Sequence, residues 1–157
     1  MSKLIVRYVQ PIDIPKLIPL IIGYLQFYNR PVPPDEKIEE MIVRFLVHPD
    51  EGVQFAAAEN GELKGFATLN YIWSTTRMQK IALLNDLYVD PEHRRKGAGE
   101  GLLNAALNQA KKENLPIMRL LTAEDNKAAQ ALYEKTGGKA PGWRVYDYDL
   151  SSWGGIG

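Results

Sequence analysis

Apolar residues change period along this chain, and each change marks an element. Residues 4–9, Leu-Ile-Val-Arg-Tyr-Val, are short, apolar and β-branched, and read as a first strand. Asp13 then stands as an N-cap with Pro15 in the first turn of a helix on which Leu17, Leu20, Ile21, Tyr24, Leu25 and Tyr28 recur at helical spacing. Pro19 inside that run predicts a kink or a break. After the rigid Pro31-Val32-Pro33-Pro34-Asp35, a second helical period carries Ile38, Met41, Ile42, Phe45 and Leu46 and ends by His48-Pro49. Residues 53–59 and 63–73 flank Asn60-Gly61, a strong hairpin signal. Residues 81–89 are nearly all apolar, as a central strand covered on both faces requires. Leu102, Leu103, Ala106, Leu107 and Ala110 then form one face of an amphipathic helix, with Asn104, Asn108, Lys111 and Lys112 opposite. Residues 117–122 read as a short strand, 126–136 as a helix stopped by Gly137-Gly138, and 143–150 as a last strand.

The order β, α, α, β, β, β, α, β, α, β is that of an α/β domain, a mixed sheet flanked by helices. At 157 residues the chain fits one domain, expected over residues 1–150, with the glycine-rich 151–157 as a poorly ordered tail. Lysine plus arginine equals aspartate plus glutamate at 19 each, so no global positive field exists to hold a nucleic acid or an acidic membrane. There is no cysteine, which removes disulfides, thiolate metal sites and any cysteinyl acyl-enzyme. The N-terminal apolar stretch is too short for a signal peptide, and no run approaches a membrane span, so the expectation is a cytoplasmic protein. His48 and His93 are the only histidines, and neither has a second ligand at metal-binding spacing; no metal is expected.

The basic residues are concentrated where the central strand meets the amphipathic helix, in Arg94-Arg95-Lys96-Gly97-Ala98-Gly99 followed by Glu100. A glycine loop at a helix N-terminus lets backbone amides, here those from Arg95 through Glu100, close on an anion, and the cations add long-range attraction. The dinucleotide fingerprint does not fit, since its third glycine falls on Leu102. A P-loop does not fit either, because Glu100 and Gly101 stand where lysine and serine or threonine belong. Upstream, Asn85 and Asp86 interrupt the apolar strand, and polar residues there need partners or a purpose. Successive strand residues face opposite sides, so both reach one cleft only if a bulge intervenes.

Arg-x-x-Gly-x-Gly after Asn85-Asp86-Leu87-Tyr88-Val89-Asp90-Pro91 resembles the coenzyme A loop of the GCN5-related N-acetyltransferases. Asp125-Asn126-Lys127-Ala128-Ala129-Gln130-Ala131-Leu132-Tyr133-Glu134-Lys135-Thr136-Gly137 resembles that family's second signature, and the two occur in the family's order. The resemblance implies a mixed, mostly antiparallel sheet with helices on both faces, and acetyl-CoA as acetyl donor. It implies that a bulge splays the strand at Leu87, Tyr88 and Val89 so that their backbone groups pair with the pantetheine arm, while Arg94 to Glu100 take the pyrophosphate. Asn126 and Ala129 become candidates for further coenzyme contacts, Asn126 being equally suited to helix capping, and Tyr133 becomes the general acid that protonates the departing thiolate. In many relatives a glutamate that helps to deprotonate the amine stands where Asn85 stands. Asparagine cannot be a base, which leaves Asp86 as the nearest carboxylate, with a structural hydrogen-bonding role or a water chain as alternatives.

The acceptor pocket is expected from Tyr24, Phe27 and Tyr28 on the first helix and from Tyr71, Trp73, Thr75 and Arg77 near the turn before the central strand, the aromatics among them also suiting a core. A weaker resemblance to the spermidine/spermine and thialysine branch, through Asn85 to Val89 and Gly142-Trp143-Arg144, favours a small-molecule primary amine over a peptide and admits a homodimer. Two further readings stay open. The acceptor is a protein or peptide amine, or the chain is a coenzyme-binding regulator that has lost its base, which the asparagine at position 85 keeps in play.

Overall fold

The protein was analysed as a computed structural model, which describes residues 3–155; Met1, Ser2 and the tail residues Ile156 and Gly157 lie outside the described residues. It divides into two compact units, Met1–Leu121 and Thr122–Gly157.

The first unit is a five-stranded sheet in the order β1 (Ile5–Tyr8), β2 (Gly52–Glu59), β3 (Glu62–Ser74), β4 (Gln79–Val89), β5 (Met118–Leu120). The first three pairings are antiparallel and β4 with β5 is parallel, so the sheet is mixed and mostly antiparallel, as expected. Asn60 and Gly61 have φ of 53° and 76°, the pair of left-handed residues that a two-residue hairpin turn needs. Helices α1 (Ile14–Phe27) and α2 (Asp35–Val47) cover one face, where Leu17, Leu20, Ile21, Ile38 and Ile42 pack on Val9, Ala56, Phe66 and Tyr88. Helix α3 (Ala98–Lys112) covers the other, burying Leu102, Leu103, Ala106 and Ala110. Gly101 permits that approach, since a Cβ there would stand 3.1 Å from a Val6 methyl.

Two local expectations change. The helix at α1 runs unbroken through Pro19; the lost amide bond is outweighed by the buried stripe of Leu17, Leu20 and Ile21 that holds the helix on the sheet. Asp13 makes no side-chain bond to the helix amides. Its buried carboxylate instead receives both arms of the Arg7 guanidinium, at 2.7 and 2.9 Å, and the Gln10 amide at 2.8 Å. The Arg7 guanidinium holds that carboxyl below the usual aspartate range.

The second unit contains helix α4 (Lys127–Lys135), capped by the Asn126 side chain, whose Oδ1 accepts from the Ala129 amide at 3.2 Å. Its far end closes on Gly137 and Gly138, the latter amide donating to the Tyr133 carbonyl at 2.8 Å. The strand expected at residues 143–150 does not form. Its alternating Trp143, Val145, Tyr146 and Tyr148 have the propensity, but a strand exists only through a ladder partner, and α4 is the unit's sole regular element among the described residues. In the expected tail, Ser151 donates to the Asp149 carboxylate through its amide at 3.0 Å, and the Tyr148 and Trp153 rings meet edge to face.

Candidate active site

Strand β4 carries an irregularity at the point where the sequence turns polar. Leu84 pairs with Leu69 and Asp86 with Thr68, so Asn85 is an extra residue with no partner of its own on β3. That is a β-bulge, and it sets both polar side chains toward one face. Asn85 Nδ2 donates to Asn70 Oδ1 at 2.5 Å, while Asp86 stands opposite Thr68; Thr68 and Asn70 are two apart on β3 and share a face. On the opposite edge, the parallel ladder with β5 runs from Ala82 through Leu84 and stops. Beyond it Leu87, Tyr88 and Val89 have β3 as their only ladder partner among the described residues, leaving one edge of the backbone without a strand beside it, where the Val89 carbonyl accepts from Arg94 Nε.

Asp86 is partly buried beneath α1. The Tyr24 phenol reaches it from the helix and the Thr68 hydroxyl from β3. Burial pushes the Asp86 carboxyl up from its ordinary range, and the two hydroxyl donors pull it partly back. Burial, with the carboxylate beside it, raises the Tyr24 phenol as well. Behind Thr68 lies Gln54, whose Nε2 donates to Thr68 Oγ1 at 3.0 Å; both side chains are buried. Neither Thr68 nor Gln54 was marked by sequence reasoning. The available signal was a single polar residue within each of the apolar runs 53–58 and 66–69.

Around Asp86 the aromatic residues of α1 form a wall. Tyr24 meets Tyr28, Phe66 and Tyr88 at ring-centroid distances of 5.1, 5.7 and 5.9 Å, and Phe27 meets Tyr28 at 5.0 Å. Phe27 and Tyr28 are about half exposed, whereas Tyr88 is buried with its hydroxyl against Gly23, where a Cβ would come within 3.0 Å. Tyr71 and Trp73 do not join this wall. They alternate onto the α3 face, where the Tyr71 hydroxyl accepts from Gln109 Nε2 at 3.1 Å in a network with Tyr8, and Trp73 lies exposed near the end of β3.

The basic loop leaves β4 and enters α3. Arg95 and Gly97 have φ of 65° and 89°, so the chain makes a left-handed turn on either side of Lys96. A Cβ at Gly97 would meet nothing within 4 Å, so the loop is open on that side. Arg95 and Lys96 are exposed. Arg94 is occupied otherwise: its Nε donates to the Val89 carbonyl at 3.0 Å, and its guanidinium lies 4.9 Å from the Phe27 ring centre and 5.7 Å from that of Tyr88. In the second unit, Asn126, Ala129 and Tyr133 form a single half-buried stripe on α4.

Comparison with known proteins gives a consistent picture. The acetyltransferase (GNAT) family profile matches residues 20–138. The chain is 35% identical over 132 residues to an uncharacterized N-acetyltransferase, YhfO, of Bacillus subtilis, covering 84% of this chain and 87% of the relative. It is 30% identical over 140 residues to the D-amino-acid N-acetyltransferase HPA3 of Saccharomyces cerevisiae, covering 85% and 84% of the two chains. Among solved structures, a probable acetyltransferase superposes with a TM-score of 0.80 at 27% identity, covering 96% of this chain and 99% of its own.

Proposed function

This chain belongs to the acetyltransferase (GNAT) family, and on that premise we propose that it acetylates a small-molecule primary amine from acetyl-CoA by direct attack within a ternary complex. The observation that carries the proposal is the bulge at Asn85, which aims Asp86 at the α1 wall while the neighbouring edge of β4 is released from β5. The residues fit the coenzyme. An extended backbone edge at Leu87 to Val89 suits an amide-bearing arm, and the left-handed turns at Arg95 and Gly97, open to solvent and flanked by Lys96, suit a diphosphate at the head of α3.

Bound there, acetyl-CoA would supply an activated acetyl group and a thiolate leaving group. The chain's own part is positioning and proton handling. Asp86, its carboxyl raised by burial, takes the proton of the incoming ammonium directly or through water, and the faces of Tyr24, Phe27 and Tyr28 suit an amine bearing a cationic or apolar body. Tyr133 on α4 is assigned the proton donated to the departing sulfur. With no cysteine in the chain, a direct transfer needs no acyl-enzyme. The relative HPA3, by its name, acts on D-amino acids, which supports a small amine over a peptide.

The test is thiol release from acetyl-CoA with polyamines, D- and L-amino acids and an alanine-terminated peptide, followed by initial rates against both substrates. Intersecting lines and a small-amine preference are expected. Coenzyme binding without thiol release for any amine would leave the regulator reading in its place, and parallel lines with a trapped acetyl-protein would overturn direct attack.

A further inference from the structure

Three adjacent strands place a polar residue in the same row of one face, bordering an apolar row. Gln54 on β2 pairs with Thr68 on β3, and Thr68 with Asp86 on β4, in consecutive register. Two residues along each strand, the next row on this face is Ala56, Phe66 and Tyr88, all core. The polar row is connected. Gln54 Nε2 donates to Thr68 Oγ1 at 3.0 Å, Thr68 stands opposite Asp86 in the ladder, and the Thr68 hydroxyl and the Tyr24 phenol from α1 both lie near enough to the carboxylate to lower its pKa.

The directions of these bonds follow from donor inventory. Because Thr68 Oγ1 accepts from an amide that can only donate, its single proton is left for the Asp86 carboxylate. The amide orientation has a cost that packing does not explain: Gln54 is 3% exposed, and its Oε1 is buried with no hydrogen-bond partner. A leucine of comparable volume would fill most of the space with no orphaned oxygen. What a leucine cannot do is fix the threonine hydroxyl as a donor.

We propose that Gln54, Thr68 and Tyr24 are positioning residues that orient two hydroxyl donors onto Asp86 and hold it ionised and aimed for proton abstraction. This rests on Asp86 being the base in the reading above. Other titratable groups near this point are Tyr28 and, beyond it, Arg30 from the α1 end, and Tyr88 from β4 with Arg94 and Asp90 as its neighbours; α2 presents Ile38 and Ile42 to the sheet. None of these is hydrogen-bonded to Asp86, which leaves Thr68 and Tyr24 as the groups that stabilise its charge.

The experiment follows the Asp86 carboxyl carbon by NMR across pH in the full chain labelled at aspartate, with Asp86→Asn assigning the resonance, and needs no acceptor. Thr68→Val and Tyr24→Phe should each move its titration to higher pH by about one unit, since a hydrogen bond to a charged group is being removed. Gln54→Leu should move it less and in the same direction, and Thr68→Ser should restore the wild-type position. In parallel, the pH profile of kcat/KM is measured with acetyl-CoA and the fastest amine of the panel above. Asp86→Asn should abolish the low-pH limb, and Thr68→Val and Tyr24→Phe should shift it upward; Thr68→Val, behind the aromatic wall, should do so while preserving the high-pH plateau within about threefold. If Asp86→Asn abolishes the limb but neither hydroxyl variant moves the titration or the limb, the positioning proposal is wrong and the base assignment survives. If the limb persists in Asp86→Asn, the base assignment falls and takes the proposal with it. Tyr24→Phe keeps the ring and its packing, so it remains informative should Thr68→Val fail to fold.

Discussion

Arg94 offers a test of whether the basic loop is one device or two. Reading the sequence alone, Arg94, Arg95 and Lys96 are equivalent cations waiting for a diphosphate. In the folded chain Arg94 ties the start of the loop back onto β4 and α1, through the Val89 carbonyl at 3.0 Å and the faces of Phe27 and Tyr88. A hydrogen bond from a charged donor contributes about 1.5 kcal/mol at the low end, and each cation–π contact at an exposed site about 0.5 kcal/mol or somewhat more. Arg94→Ala should therefore cost about 2–3 kcal/mol, or roughly 4–10 °C in Tm for a chain of this size. Arg94→Lys should lose more than half of that, because a point charge on a flexible stem cannot both donate to the carbonyl and stack. The assay is urea unfolding followed by tryptophan fluorescence, together with calorimetric CoA titration at two salt concentrations. Arg94→Ala should leave the salt dependence of CoA binding nearly unchanged, whereas Arg95→Ala or Lys96→Ala should flatten it without touching stability. An unfolding midpoint for Arg94→Ala equal to wild type, with a flattened salt dependence, would refute the reasoning and return Arg94 to the diphosphate.

Gly97→Val forces a β-branched residue to φ 89°, so it should weaken CoA binding and also cost about 1–2 kcal/mol in unfolding; undiminished CoA affinity in calorimetry would remove the loop from the site. Tyr133→Phe should fold normally and keep its CoA affinity while turnover falls about a hundredfold or more, checked by thiol release. Asp13→Asn should cost about 2–3 kcal/mol, since it leaves the Arg7 guanidinium without its charged partner. As the Asp13 carboxyl is depressed in the folded state, its contribution is complete above the ordinary aspartate pKa of about 3.9 and fades as pH falls through the lower folded value. Wild type and Asp13→Asn should therefore converge in stability at low pH.

The sheet and its helices were legible because their apolar periods are long and unambiguous. Asn60-Gly61 gave the hairpin, and the Leu102 to Ala110 stripe gave the helix that covers one face. Residues 143–150 misled because strand propensity is local whereas a ladder partner is not. The same distinction separates what was readable in the site. Asp86 announced itself as a charge within an apolar run, but its hydroxyl and amide neighbours depend on register across three strands, which no single stretch of sequence encodes. Tyr71 does not join Tyr24 because of residue parity on β3: Phe66, Thr68 and Asn70 share the α1 face, so Tyr71 cannot.

The bulge admits a direct test because its flanking pairs are already in phase. Leu84 faces Leu69 and Asp86 faces Thr68, which are adjacent on β3, so deleting Asn85 would join two registers that regular pairing also allows. Leu84 would stay in the core on the α3 face, and Asp86 would stay beneath Tyr24. The losses are the Asn85 to Asn70 hydrogen bond, which is exposed and worth about 1 kcal/mol or less, and the local bend. A straightened β4 can extend its ladder along β5 beyond Leu84, closing the edge on which the coenzyme arm is proposed to lie. The deletion variant should thus keep its circular dichroism spectrum and a Tm within a few degrees of wild type, yet lose most of its CoA affinity and its turnover. Were it to bind CoA and turn over like wild type, the splayed edge of β4 would have no part in the site.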